Sequence, residues 1–189
     1  MKICGITSPE DACMAEDAGA DAIGVVVFSD SPRSVAPEAA REIFSSVGPY
    51  VTRVCVSTTE SPGDIETMLA INPDAVQVSL PLEEKLPVRT ICMVDSPGAL
   101  PAYADAIAVD ASRGTGRHFD ASLAEWAARE STVPVILAGG LSPSNVAGAI
   151  QCVRPYAVDV ASGVEISPGR KDEGLVRAFV RKAKGALHD

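Results

Sequence analysis

Basic residues are in short supply: 16 Lys and Arg stand against 25 Asp and Glu, for a net charge of −9. Broad nucleic-acid binding runs on cationic contacts that displace counterions, so no nucleic-acid partner is expected. A small anionic ligand is still compatible, because a local group of arginines and backbone N–H donors outweighs a distant overall charge. Histidine is scarcer, with two in the chain, and the five cysteines are spread out with no CxxC pair. That excludes a Cys/His metal site and a disulfide framework, and leaves reduced thiols in a cytoplasmic protein as the reading. No apolar run reaches the length of a bilayer span. The start lacks a charged segment followed by a long apolar one, so we expect an unexported chain with no membrane partner. No linker, low-complexity stretch or charge block divides residues 1–189, and the length suits one domain.

What the chain does have is 47% apolar residues arranged in a regular alternation. Short β-branched runs cover 2–4, 22–28, 52–56, 75–78, 90–94, 106–110, 135–138 and 157–160. Most are nearly continuous in apolar character, the pattern of parallel strands covered on both faces. Helix openings fall between them: Ser8-Pro9-Glu10-Asp11, Ala36-Pro37-Glu38, Ser61-Pro62-Gly63-Asp64, Asp120-Ala121-Ser122 and Ser142-Pro143-Ser144-Asn145. Each places a capping side chain or a first-turn proline where a helix begins. Eight such units predict an α/β fold, a compact (β/α)8 barrel. An open doubly wound sheet is the rival, but it would normally have fewer strands at this length. The fourth helical segment is predicted to be short, because SLPLEEKLP leaves little room, and 96–103 is thin as well.

Barrel sites gather where the strands end. The ends here carry Cys4-Gly5, Phe28 with the following 29–33 loop that includes Arg33, Gln77, Asp110, Gly139-Gly140, and Asp159 with Ser162-Gly163. VILAGGLSPSNV and AVDVASGVE each run from an apolar strand into small residues, which let a backbone approach an anion closely. As a pair in the last two units they point to a phosphate seat; singly, each could simply turn the chain. Asp110 ends an apolar strand, where an unpaired carboxylate would be costly in the core, so it should face the open mouth and exchange protons there. The bland alternative is a capping aspartate. Arg33 could grip a carboxylate or make an ordinary surface ion pair. Cys13, Cys55, Cys92 and Cys152 fall within predicted helices or strands and read as packing residues. Cys4 stands at a strand end instead.

The segments KICGIT, GADAIGVVVFSDSPRSV, GTGRHFD, VILAGGLSPSNV and RPYAVDVASGVEISPGRKD together resemble the phosphoribosylanthranilate isomerase family of tryptophan biosynthesis. The similarity runs from the first residues to beyond Asp172. It implies the same barrel and an Amadori rearrangement of a small phosphorylated ribosyl substrate. It also implies roles: Cys4 as general base, Asp110 as general acid, and Arg33 toward the anthranilate part. Gly139, Gly140, Ser162 and Gly163 would hold the phosphate, and Asp159 matches the family's aspartate near the eighth strand end. No metal and no cofactor are expected. Where the family commonly reads QLHG after the fourth strand, this chain has Gln77-Val78-Ser79-Leu80, and Thr58-Thr59 replaces an apolar pattern after the third. The rival functions are an isomerase of another phosphorylated ribose, disfavoured by a Cys where a first-strand Asp would stand, and a catalytically silent barrel.

Overall fold

Continuous apolar runs become parallel strands because both of their faces must be covered. The computed structural model describes residues 1–59, 61–79, 84–110 and 121–186. In it, β1 (Lys2–Cys4), β2 (Ala22–Val26), β3 (Thr52–Ser57), β4 (Ala75–Val78), β5 (Arg89–Val94), β6 (Ala106–Asp110), β7 (Val135–Ala138) and β8 (Ala157–Val160) form a closed barrel in sequence order. The seam is β1 against β8, with Lys2 opposite Asp159 and Ile3 opposite Val160. The predicted strands agree with these to within two residues at either end. Phe28 falls outside β2 because its φ of 49° turns the chain out of extended geometry.

The surrounding helices are α1 (Pro9–Asp17), α2 (Pro37–Ser45), α3 (Pro62–Ala70), α4 (Ala121–Glu130), α5 (Val146–Val153) and α6 (Glu173–Gly185). Among the described residues no helix lies between β4 and β5 or between β5 and β6. The thin fourth and fifth connections are therefore plain loops where described, and residues 80–83 of the fourth fall outside. Ser8 caps α1 by accepting from the Asp11 N–H at 3.2 Å, with Pro9 in the first turn. Asp172 caps α6 by accepting from the Leu175 N–H at 2.9 Å. Such caps contribute about 1 kcal/mol each. The predicted opening at Ser142 is a tight turn rather than a helix start. There Asn145 Oδ1 accepts the Ser142 N–H at 2.8 Å, and α5 begins at Val146.

Alternation along each strand separates two apolar layers. Ile3, Ile23, Val25, Ile107 and Leu137 point outward to the helices, meeting Ile43 and Phe44 of α2, Ile150 of α5 and Phe179 of α6 in one buried cluster. Val26, Val54, Val56, Ala75, Ile91, Ala108 and Ile136 point inward. The strand registers stack the inward residues in tiers of four from alternate strands, as a closed barrel requires. One tier holds Lys2, Val54, Ile91 and Ile136. The next holds Gly24, Gln77, Ala108 and Asp159, and above it lie Cys4, Val56, Met93 and Ala138. The middle tier is half glycine and alanine, so the Lys2 side chain can rise through it.

Beyond β8 a short 3-10 turn (Ser162–Val164) leads into an antiparallel hairpin of β9 (Glu165–Ser167) and β10 (Arg170–Lys171). Pro168 and Gly169 make its turn, with Gly169 at φ +83°. Sequence reading did not anticipate this hairpin, although a Pro-Gly pair is the ordinary signal for such a turn.

Candidate active site

A cavity of about 520 Å³ opens at the carboxyl ends of the strands. Cys4 from β1, Asp110 from β6 and Asp159 from β8 line it, with Arg33 from the loop after β2. Gly139, Gly140 and Ser162 line it from the loops after β7 and β8. Going round the barrel by way of β8 and β7, β6 is three strands from β1, so the thiol and the Asp110 carboxyl approach the space from well-separated walls. Gly163 is not part of the lining. A Cβ on it would lie 1.9 Å from the Leu141 carbonyl oxygen, so this glycine lets the loops after β7 and β8 lie directly against each other. Gly139 and Gly140 have φ of 84° and 64°, which a side chain would oppose. Asn145 braces that turn by donating from Nδ2 to the Gly140 carbonyl at 2.9 Å.

Beneath the thiol lies a buried ion pair. Lys2 Nζ donates to Asp159 Oδ2 at 2.6 Å and to Gln77 Oε1 at 2.8 Å, with both charged side chains nearly inaccessible. Gly24 makes room for it: a Cβ there would lie 2.7 Å from Lys2 Cε and 2.8 Å from Cys4 Sγ. Burial alone pushes the Lys2 ammonium toward neutrality, but the Asp159 carboxylate, with help from Cys4, more than offsets this and its pKa lies above the ordinary lysine value. Burial likewise lifts the Cys4 thiol. The Lys2 ammonium pulls it back, Asp159 pushes it further up, and Lys171 pulls it down; the net direction is upward.

Arg33 sits at the rim in a second ionic group. Its Nε donates to Glu165 Oε1 at 2.9 Å and its Nη2 to Glu165 Oε2 at 2.7 Å. Lys171 Nζ donates to the same Oε1 at 2.8 Å and to the Ala161 carbonyl at 3.3 Å. Burial would raise the Glu165 pKa, yet the two cations hold it below the ordinary glutamate value. The ion pair foreseen as the bland alternative for Arg33 therefore exists, but inside the site rather than on the open surface. Among the described residues no cluster of three or more His, Cys, Asp or Glu is placed to hold a metal ion, and no helix is long and apolar enough to cross a membrane.

The chain and its fold resemble known proteins over nearly the whole length. Residues 1–182 match the model of the N-(5'-phosphoribosyl)anthranilate (PRA) isomerase family. The chain belongs to that family. The N-(5'-phosphoribosyl)anthranilate isomerase of Methanoregula boonei is 54% identical over 191 residues, spanning 100% of this chain and 98% of that one. A crystal structure of phosphoribosyl anthranilate isomerase in complex with reduced 1-(o-carboxyphenylamino)-1-deoxyribulose 5-phosphate superposes with a TM-score of 0.82 at 36% identity, covering 97% of each chain. The Thermus thermophilus phosphoribosyl anthranilate isomerase gives 0.83 at 35% identity, covering 97% of this chain and 98% of that one.

Within this PRA isomerase-family chain, sequence reasoning missed Lys2, Glu165 and Lys171 around the site, while Gln77, read as a strand-end residue, lines the cavity. Two cysteines also differ from expectation. Cys55 and Cys92 are buried, but Cys13 and Cys152 are exposed, because they lie on the solvent-facing sides of α1 and α5. Their thiols donate to the Ser46 carbonyl and to Glu125 rather than packing in the core. Ser79 and Thr58, at the ends of β4 and β3 where the sequence departs from the family pattern, both line the cavity. The GTGRHFD segment lies outside the described residues.

Proposed function

We propose that this isomerase converts N-(5'-phosphoribosyl)anthranilate to 1-(2-carboxyphenylamino)-1-deoxyribulose 5-phosphate with Cys4 as general base and Asp110 as general acid. The observation that carries the residue assignment is that a thiol from β1 and a carboxyl from β6 meet one cavity from different walls, while paired glycines and an arginine occupy its rim.

The chemistry uses each group once. The Asp110 carboxyl gives a proton to the ribose ring oxygen as the C1–O bond breaks, and the anilino nitrogen lone pair forms the C1=N bond of an iminium. That electron sink acidifies the C2 hydrogen, which the Cys4 thiolate removes, leaving an enolamine. Proton transfer to C1 and loss of the O2 proton give the 1-amino-1-deoxyketose, so the net change moves hydrogen from C2 to C1. The Gly139-Gly140 turn and Ser162, with Gly163 behind it, hold the phosphate, and Arg33 holds the anthranilate end, so C2 is fixed beside the sulfur. Asp159 supports the sugar from below. The base must be a free thiol, which assigns the enzyme to the reducing cytoplasm.

The test is turnover of substrate generated in situ, followed by loss of its fluorescence. Cys4→Ala and Asp110→Ala should each lose activity by a factor of at least about a hundred, the usual share of a positioned acid or base, while the far-ultraviolet circular dichroism stays native. Wild-type kcat in folded Cys4→Ala would overturn the base assignment.

A further inference from the structure

The Arg33 side chain is held in place by residues for which the reaction as derived has no use. Its aliphatic stem lies on Gly5: a Cβ there would lie 2.5 Å from Arg33 Cδ, and Gly5 has φ +71°. Its guanidinium is gripped bidentately by Glu165, whose side chain is only 4% exposed while that of Arg33 is 21% exposed. Glu165 is anchored in turn by the buried Lys171 ammonium and by the Gly169 N–H, which donates to Oε1 at 3.3 Å. The Arg33 backbone is fixed as well, its N–H donating to Ser31 Oγ at 3.2 Å.

We propose that Glu165 is a positioning residue that aims Arg33 at the substrate, with Gly5 as the seat and Lys171 as the anchor; this rests on the reading of Arg33 given above. Two consequences follow from counting donors and charges. A guanidinium has five N–H groups. Glu165 takes the Nε–H and one Nη2–H, so the side edge of the fork is closed to a ligand carboxylate. The terminal edge, formed by Nη1 and the second Nη2 hydrogen, remains. Glu165 also cancels one of two cations, so the group of Arg33, Lys171 and Glu165 keeps a net charge of +1 for a single carboxylate. The site would therefore select an anthranilate carrying one carboxylate in one orientation, rather than any anion.

Charge and positioning predict opposite signs for the same substitution. Glu165→Gln raises the local charge by one, so a purely electrostatic role would lower KM for the anionic substrate. A positioning role raises it. We expect KM to rise about tenfold with kcat changing less, and the rise to vanish to within about twofold when Glu165→Gln is added to Arg33→Ala, because the two act as one unit. Glu165→Asp keeps the charge but shortens the reach, and it should give the same pattern where Glu165→Gln does not fold. A lower or unchanged KM in Glu165→Gln, or a KM effect that persists in the Arg33→Ala background, overturns the proposal. If Arg33→Ala alone leaves KM unchanged, the assignment of Arg33 to the anthranilate end fails first, and the role of Glu165 falls with it.

Discussion

Replacing Lys2 by Met keeps most of the side-chain volume and removes the ammonium that Asp159 depends on. Asp159 Oδ2 then loses its 2.6 Å partner, while its Oδ1 is already buried and makes no hydrogen bond among the described residues. The carboxylate is 6% exposed, so little water can reach it in the lysine's place. Breaking a buried pair from one side costs about 3–5 kcal/mol. Set against a total stability of roughly 5–15 kcal/mol, that is a large share, and for a chain of this size it lowers Tm by roughly 6–20 °C. Urea unfolding followed by circular dichroism should show the loss. The double variant Lys2→Met with Asp159→Asn should recover part of it, because no unpaired charge is left inside. The pH dependence has a definite sign. The Lys2 pKa is raised on folding, so its contribution is fully present below the unfolded lysine value near ~10.4 and is lost only as pH rises through the folded value. The gap between wild type and Lys2→Met should be constant from pH 7 to 9. A loss below about 1 kcal/mol, or a double variant whose loss equals the sum of the singles, would refute the argument, since neither fits a pair held together inside a low-dielectric wall.

Because burial holds the Cys4 thiol above its ordinary range, kcat/KM should climb with pH between 7 and 9, and the climb should move to higher pH in Lys2→Met, which removes the main acidifying charge; a plateau already reached at pH 7 would contradict this. Cys55, with its pKa pushed up to about 12 by burial, is about three parts in ten thousand thiolate at pH 8.5. Iodoacetamide should therefore label exposed Cys13 and Cys152 in the native protein and spare Cys55, as read by peptide mass spectrometry; labelling of Cys55 at the rate of Cys13 would show that the layer between β3 and the helices opens freely.

The barrel was legible because its strands announce themselves locally. VILA is an uninterrupted apolar run, AIAVD is apolar up to its final Asp110, and AVDV is broken only by Asp159; a parallel strand covered on both faces needs little else. Cys4 and Asp110 could be found by asking which reactive side chains stand at strand ends. Their supports could not. A lysine in the second position reads as solvated, and its burial depends on Gly24, one strand over, having no side chain. Arg33 meets Glu165 across 132 residues of sequence, a separation no local pattern encodes. Cys13 and Cys152 were misread because lying within a helix does not by itself decide the face a residue takes; α1 buries Ala12 and Ala15, and α5 buries Ala149, Ile150 and Val153, leaving both thiols on the other side.

The seam between β1 and β8 has a consequence for how the molecule comes into being on the ribosome. Lys2 waits for Asp159, Arg33 for Glu165, and the Asp11 carboxylate for the Lys171 N–H. All three partners emerge in the last fifth of the chain, so a growing polypeptide that already carries the thiol and the Asp110 carboxyl still has no enclosed floor and no aimed arginine. Catalytic competence should therefore arrive abruptly, after release of the carboxyl terminus, and not build up strand by strand.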